Sequence, residues 1–197
     1  MDVPRWEEEP ITYLTIRQVE RLFDGIMDPR DLLLFDLTYR HGLRGTEAAR
    51  LRLDYFHDGR IWIVRLKHGQ SRAYRLHPRS VELLERYLKV RPDDGSPYLL
   101  RTRRHTQNPM SRAEINRLFH RYARTAGLPS RLSHVHVLRH SIAVHLAQIG
   151  WDPAAVQQWL GHRDISSTMV YFRITEKRWD AQQRAMHRSR GIARTGR

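Results

Sequence analysis

His134-Val-His-Val-Leu-Arg-His-Ser141 opens a segment that runs through Leu160-Gly-His-Arg163 to Tyr171, and most of the chain's chemistry sits in it. Leu138, Ile142, Leu146 and Ile149 recur at helical spacing. That spacing predicts an amphipathic helix with those four residues on its core side. His136, Arg139 and His140 fall at i, i+3 and i+4 and share one face. Gly150 is a C-terminal stop. Asp152-Pro153 then supplies an N-cap and a proline at the first position of another helix, which Gly161 ends. His162 lies just past that end, and Tyr171 follows nine residues on.

An arginine, several imidazoles and a phenol gathered in this way suit a phosphodiester attacked by a tyrosine. A guanidinium forks onto phosphate oxygens. Imidazoles hydrogen-bond the remaining oxygens or move protons. A phenol can carry a covalent phosphoryl intermediate. Each residue also has a plainer reading. Tyr171 alone is a core aromatic, His162 alone is a helix C-terminal cap, and Trp151, Trp159 and Met169 are packing residues, with His134 and His145 incidental. His136 and His140 at i, i+4 could bind a metal, but no acid lies between them on the helix, so the zinc-hydrolase pattern fails and no metal site is expected.

The chain has 197 residues, with 35 Lys and Arg against 21 Asp and Glu and a net charge of +14, the electrostatic footprint of a polyanion binder. Hydrophobic residues make up 40%, enough for a core. No apolar run reaches the length of a membrane span, and the N-terminus has no signal-peptide core. With no cysteine, disulfides and thiolate metal sites are excluded. The expectation is a cytoplasmic, nucleoid-associated protein without membrane contact.

Upstream, Thr15-Ile-Arg-Gln18 is a capping box for a first short helix. Pro29 opens a second, apolar nearly all round, that stops at Gly42. Arg44 lies in the glycine-flanked turn Gly42-Leu-Arg-Gly-Thr-Glu47, with Thr46 as the expected N-cap of the next helix. Glu47 supports that helix's N-terminus or orients an arginine. Taken alone, Arg44 is a surface arginine at a helix start. Ile61–Leu66 and Arg72–His77 read as paired strands joined by a turn at Lys67-His-Gly-Gln70, which makes Lys67 either solvated charge or a proton donor on a mobile turn. A helix is expected over 78–90. The long basic loop 91–109 is a candidate DNA-facing segment. A second capping box at Ser111-Arg-Ala-Glu114 starts a helix that stops at Gly127.

Arg44, Lys67, His136, Arg139, His162 and Tyr171, taken in this order, resemble the signature of the tyrosine recombinase (phage integrase) family. Gly-Leu-Arg-Gly-Thr-Glu is similar to its first arginine motif, Leu-Lys-His-Gly to its hairpin lysine, and His-Val-Leu-Arg-His-Ser to its His-x-x-Arg-His motif. Leu-Gly-His-Arg ahead of Tyr171 is similar to its last histidine and nucleophile. The length and the Leu-Arg-His-Ser and Leu-Gly-His-Arg-x-Ile details are closest to the short fimbrial-type DNA invertases.

The resemblance implies a mainly α catalytic-core fold with a small antiparallel β-sheet over 14–175, flanked by an N-terminal arm, 1–13, and a basic tail, 176–197. It implies that Tyr171 forms a 3′-phosphotyrosyl link to double-stranded DNA and that Arg44 and Arg139 stabilise the phosphorane. His136 or Lys67 would handle protons, with Lys67 as the acid toward the leaving oxygen. His140 and His162 would hydrogen-bond the phosphate or position Tyr171, and Glu47 would support. His162 counts with the catalytic set, Glu47 and His140 as supporting. Neither metal nor ATP would be needed. The active assembly would be a homotetramer on two recombination sites. The family's usual N-terminal helical domain has no counterpart in 1–13, from which weaker intrinsic affinity, reliance on DNA-bending helper proteins or inactivity alone would follow as alternatives. The alternative is a non-catalytic DNA-binding regulator that retains the fold.

Overall fold

Leu32, Leu33, Leu34, Phe35 and Leu37 occur almost without interruption, so no face of their helix can be left to water. In the computed structural model, which describes residues 11–66, 69–102, 108–175 and 183–184, all five are buried in the core. Burying each contributes about 2 kcal/mol. They belong to α2 (Pro29–Arg40), capped by Asp28, whose carboxylate accepts from the amides of Arg30 and Asp31. The helix packs against α1 (Ile16–Asp24), α3 (Gly45–Ala49), α4 (Pro78–Leu88) and α6 (His136–Gln148). Its two buried acids are paired, as burial of charge demands. Asp31 takes Arg30 at 2.7 Å and the Tyr122 hydroxyl at 2.9 Å. Asp36 takes Arg40 at 2.8 Å and the Ser80 hydroxyl at 2.5 Å.

The remaining elements are α5 (Arg112–Thr125), α7 (Pro153–Leu160), a last helical segment α8 at 166–175, and a sheet in the order β1-β2-β3. The result is mainly helical with one small antiparallel sheet. No helix among the described residues is long and apolar enough to cross a membrane. The Thr15–Gln18 capping box forms in full, and Asp152 caps its helix by accepting from the Ala155 amide as expected. Ser111 caps α5 by accepting from the Glu114 amide, which is half of the box expected there.

Several sequence expectations are corrected. The strands are shorter than predicted, β2 being Arg60–Ile63 and β3 Arg72–Arg75. The chain leaves the ladder after Ile63 because the next amides find other acceptors, Arg65 N–H the Ser71 hydroxyl at 3.0 Å and Leu66 N–H the Glu47 carboxylate at 3.3 Å. A third strand, β1 (Phe56–His57), folds back through the two-residue turn Asp58-Gly59, both at positive φ. Thr46 is not an N-cap: α3 begins one residue earlier, with Arg44 in that position. Nor is α6 amphipathic. It is buried on almost every side, with Val137, Arg139, Ser141, Ala143, Val144 and His145 inside beside Leu138 and Leu146, while Ile149 is 70% exposed. In the basic loop, Arg91 folds inward onto the Ser96 carbonyl at 2.8 Å, and Arg101 is buried against Asp94 at 3.0 Å. Residues 103–107 lie outside the described residues, as do Met1–Pro10 and most of 176–197.

His41, at the end of α2, is 1% exposed and packs against the rings of Trp159 and Tyr74, which also touch each other. Burial and the neighbouring Arg65 push its pKa down to about 3. An unfolded histidine titrates near 6.5, so below that pH the unfolded chain binds the proton that the fold rejects, and stability falls with pH. Between pH 8 and pH 5 this one residue should cost about 2 kcal/mol. Neither ring nitrogen has a hydrogen-bond partner among the described residues, so His41→Phe breaks no bond. Urea denaturation should show the variant losing about 2 kcal/mol less than the parent over that range. Equal losses would place the pH dependence elsewhere.

Candidate active site

Gly42 turns the chain out of α2 at φ +56, and a Cβ there would lie 2.5 Å from the Leu160 side chain. Only glycine permits this approach of the α2–α3 turn to the end of α7. The turn sets Arg44 at the start of α3, its side chain 27% exposed at the mouth of a cleft. α6 brings Arg139 underneath, and α7, ending on the left-handed Gly161, delivers His162. α8 carries Tyr171 back against α6.

At the floor of the cleft, Glu47 is 3% exposed and gathers three guanidinium groups. Its carboxylate accepts from Arg44 Nη1 at 2.7 Å, from the Arg44 amide at 2.9 Å and from Arg65 Nη1 at 2.9 Å. Arg139 Nη1 lies 4.0 Å away. Burial alone would raise the Glu47 pKa, but Arg65, the Arg44 amide and Arg139 outweigh it and hold the carboxylate ionised below its usual range. Arg139 is 1% exposed and donates to the Gly42 carbonyl and, at 3.0 Å, to the Leu160 carbonyl. Burial, then the charges of Arg44 and Arg65, pull its pKa down to about 9, still a cation at neutral pH.

The imidazoles line the other wall. His140 Nδ1 lies 2.9 Å from the Tyr171 hydroxyl. His136 meets His140 edge-on at 4.5 Å, and His162 stacks parallel to Tyr171 at 6.4 Å, its Nδ1 2.9 Å from Thr168 Oγ1. Burial pushes His140 and His162 down to about 3, helped by His136 at the first and Arg139 at the second. Crowding by the protein and the Arg139 charge depress His136 to about 4, although that residue stays open to solvent. All three are neutral at pH 7. Tyr171 is 3% exposed, and burial raises its pKa against the opposing pull of Arg139 and Arg44. Its proton therefore rests on the phenol, and in the tautomer that leaves Nδ1 bare a neutral His140 accepts the hydrogen bond from it.

The structure thus brings together Arg44, Glu47, His136, Arg139, His140, His162 and Tyr171, while Lys67 lies outside the described residues. No group of three or more potential ligands among the described residues could hold a metal ion. Sequence reasoning missed Arg65, buried beneath the site, and Thr168, which fixes His162. For Arg65 a signal existed: Ile61, Ile63 and Arg65 alternate onto the buried side of the strand, which marks an arginine that must find partners inside. His145, read as incidental, is also buried, with Nδ1 2.8 Å from the Tyr39 hydroxyl.

Residues 12–178 match the profile of the phage integrase family. The tyrosine recombinase XerA of Pyrococcus furiosus is 33% identical over 169 residues, covering 83% of this chain and 58% of XerA. This chain thus spans about three fifths of that relative's length. The type 1 fimbriae regulatory protein FimE of Escherichia coli K12 is 34% identical over 170 residues, 81% of this chain and 84% of FimE. A crystal structure of the XerH site-specific recombinase in a post-cleavage complex with palindromic difH substrate shares the fold. Its TM-score is 0.75 at 24% identity, over 89% of this chain and 53% of XerH. The profile match over most of the chain, the two relatives and the arginine, histidine and tyrosine constellation agree: this chain belongs to the phage integrase family of tyrosine recombinases.

Proposed function

We propose that this chain is a site-specific DNA recombinase that breaks and rejoins duplex DNA through a 3′-phosphotyrosyl intermediate on Tyr171. The observation that carries the reading is Tyr171 itself. Its phenol is held at 2.9 Å by a neutral imidazole and is flanked by Arg139 and Arg44, whose charges already favour its anion. The Tyr171 oxygen attacks a backbone phosphorus, the bond to the 5′-oxygen breaks, and a 5′-hydroxyl leaves. Arg44 and Arg139 offer fixed donors to the charge that develops on the phosphorane. Glu47 keeps both in place and ionised. The arriving phosphate raises the basicity of His140 and His136, so the phenol proton has an acceptor only once DNA is bound. Lys67 is the acid assigned to the 5′-oxygen. A second 5′-hydroxyl reverses the step on a new partner, and the phosphotyrosine conserves the bond energy.

The finer reading is inversion of DNA between inverted repeats by a homotetramer, with helper proteins that bend DNA. Its support is the likeness of Leu-Arg-His-Ser and Leu-Gly-His-Arg-x-Ile to the fimbrial-type DNA invertases. XerA and XerH, recombinases by name, support recombination in general. A second reading, a DNA-binding regulator that keeps the fold without cutting, draws on the burial of the nucleophile, 3% exposed.

A nicked duplex taken from the DNA flanking the gene separates the two. The parent chain should give a protease-sensitive covalent band on a denaturing gel. Tyr171→Phe should give none while its duplex affinity stays within about twofold, since one hydroxyl contributes little to a phosphate-dominated interface. A band from Tyr171→Phe would assign the nucleophile elsewhere, and duplex binding without any band from the parent would favour the regulator.

Arg44 is the more exposed of the two phosphate-facing arginines, so its removal disturbs the fold least. Arg44→Ala should slow covalent trapping at saturating DNA by at least about a hundredfold, roughly 2.7 kcal/mol of transition-state stabilisation. A loss below about fivefold, roughly 1 kcal/mol, would remove Arg44 from the reacting centre.

A further inference from the structure

Arg65 belongs to none of the signature motifs, yet its side chain is fully buried and its guanidinium ties the loop it stands on to the α2–α3 turn, to β3 and to the end of α7. Nη1 donates to Glu47 Oε2 at 2.9 Å and to the Gly42 carbonyl at 3.4 Å. Nη2 donates to the Trp159 carbonyl at 2.7 Å, the His41 carbonyl at 3.0 Å and the Tyr74 hydroxyl at 3.3 Å. Tyr74 in turn donates to the Gln158 carbonyl at 3.2 Å. Two glycines grip the stem. A Cβ at Gly161 would lie 2.8 Å from Arg65 Cγ, and one at Gly69 would lie 2.8 Å from Arg65 Cβ. Nothing larger fits on either side without displacing the arginine.

The partners are not scattered through the core. They are the turn that carries Arg44 and the end of α7 just before His162, and Arg65 stands on a third loop, the chain leaving β2. We propose that Arg65 is a positioning residue that locks these three loops in one register, so that the groups they carry close on a single phosphate together. The role rests on the phosphoryl-transfer reading above. Arg65 itself is covered and has no line to the substrate. It acts through Glu47 and through backbone carbonyls. A lysine keeps the charge but offers a compact ammonium with three donors in place of a planar fork, and cannot span all three loops. Misplacement of a reacting group by about 1 Å can cost about a hundredfold in rate, so a small slip between the loops should be felt in the chemistry before it is felt in binding.

Arg65→Lys and Tyr74→Phe, compared with the parent chain, provide the test. Amide hydrogen exchange is measured first, then covalent trapping on the nicked duplex from the DNA flanking the gene. In Arg65→Lys the amides of Arg44, Leu66 and His162 should exchange about tenfold faster, as expected for a local opening, while α4 and α5 keep their protection. Trapping at saturating DNA should slow by at least about tenfold with duplex affinity within about twofold, the split expected of misplaced reacting groups.

Unchanged exchange at those three amides overturns the proposal. So does a parental trapping rate, and so does faster exchange spread evenly over the chain, which marks a general loss of stability. Should Arg65→Lys fail to fold, Tyr74→Phe carries the same comparison, because it removes one Arg65 acceptor and its link to Gln158. A local response there supports the role, and none overturns it. If the three amides respond but the parent forms no covalent band, the recombinase reading fails and the positioning of the loops stands.

Discussion

A single buried carboxylate makes the cleft possible. Guanidinium groups cannot be brought together out of water without a counter-charge, and Glu47 is the one that Arg44, Arg65 and Arg139 share. The arrangement remains unbalanced, with one negative charge against three positive. Backbone carbonyls of His41, Gly42, Trp159 and Leu160 take up part of the excess. The rest is aimed at a ligand that supplies anionic oxygens. Donors fixed in this way are most effective toward charge that develops beside them, which is what the proposed phosphoryl transfer requires.

The same field sets the state of every titratable group around it. Burial and nearby cations keep His136, His140 and His162 neutral. Burial keeps the proton on Tyr171. A neutral nucleophile beside neutral imidazoles is a resting site, and its hydrogen bond stores the phenol in place without ionising it. Under the function proposed above, an arriving phosphate would raise the basicity of the imidazoles and open a route for the proton, so that chemistry waits on occupancy.

Much of this was legible in the chain. Helix starts could be read from side chains that cap their own backbone, as at Thr15, Ser111 and Asp152, because those bonds are local. The signature residues could be gathered because their chemistry and order are distinctive. What escaped depends on distant partners. The four apolar residues of α6 suggested one buried face, but the helix is enclosed by α2, α7 and α8, and Ile149 at its end is left in water. Thr46 looked like a cap until Glu47 took the Arg44 amide and moved the helix start. Asp58-Gly59 carried a hairpin signal that the reading passed over. Arg65 looked like one charge among many, and only the three loops around it give it a place.

Arg139 shows where this leads. It is 1% exposed and bonded to the carbonyls of Gly42 and Leu160, so it fastens the first motif to the last. A lineage that abandoned strand cleavage would still be held to this arginine, and to Glu47, by selection for folding. The Tyr171 ring packs in the core, so a phenylalanine would hold its place, while its hydroxyl has one imidazole as partner and His136 stands open to solvent. That hydroxyl and His136 are free to go once chemistry is no longer required. In sequences built on this plan, retained arginines report ancestry and a sound fold. The phenol reports whether the enzyme is still at work.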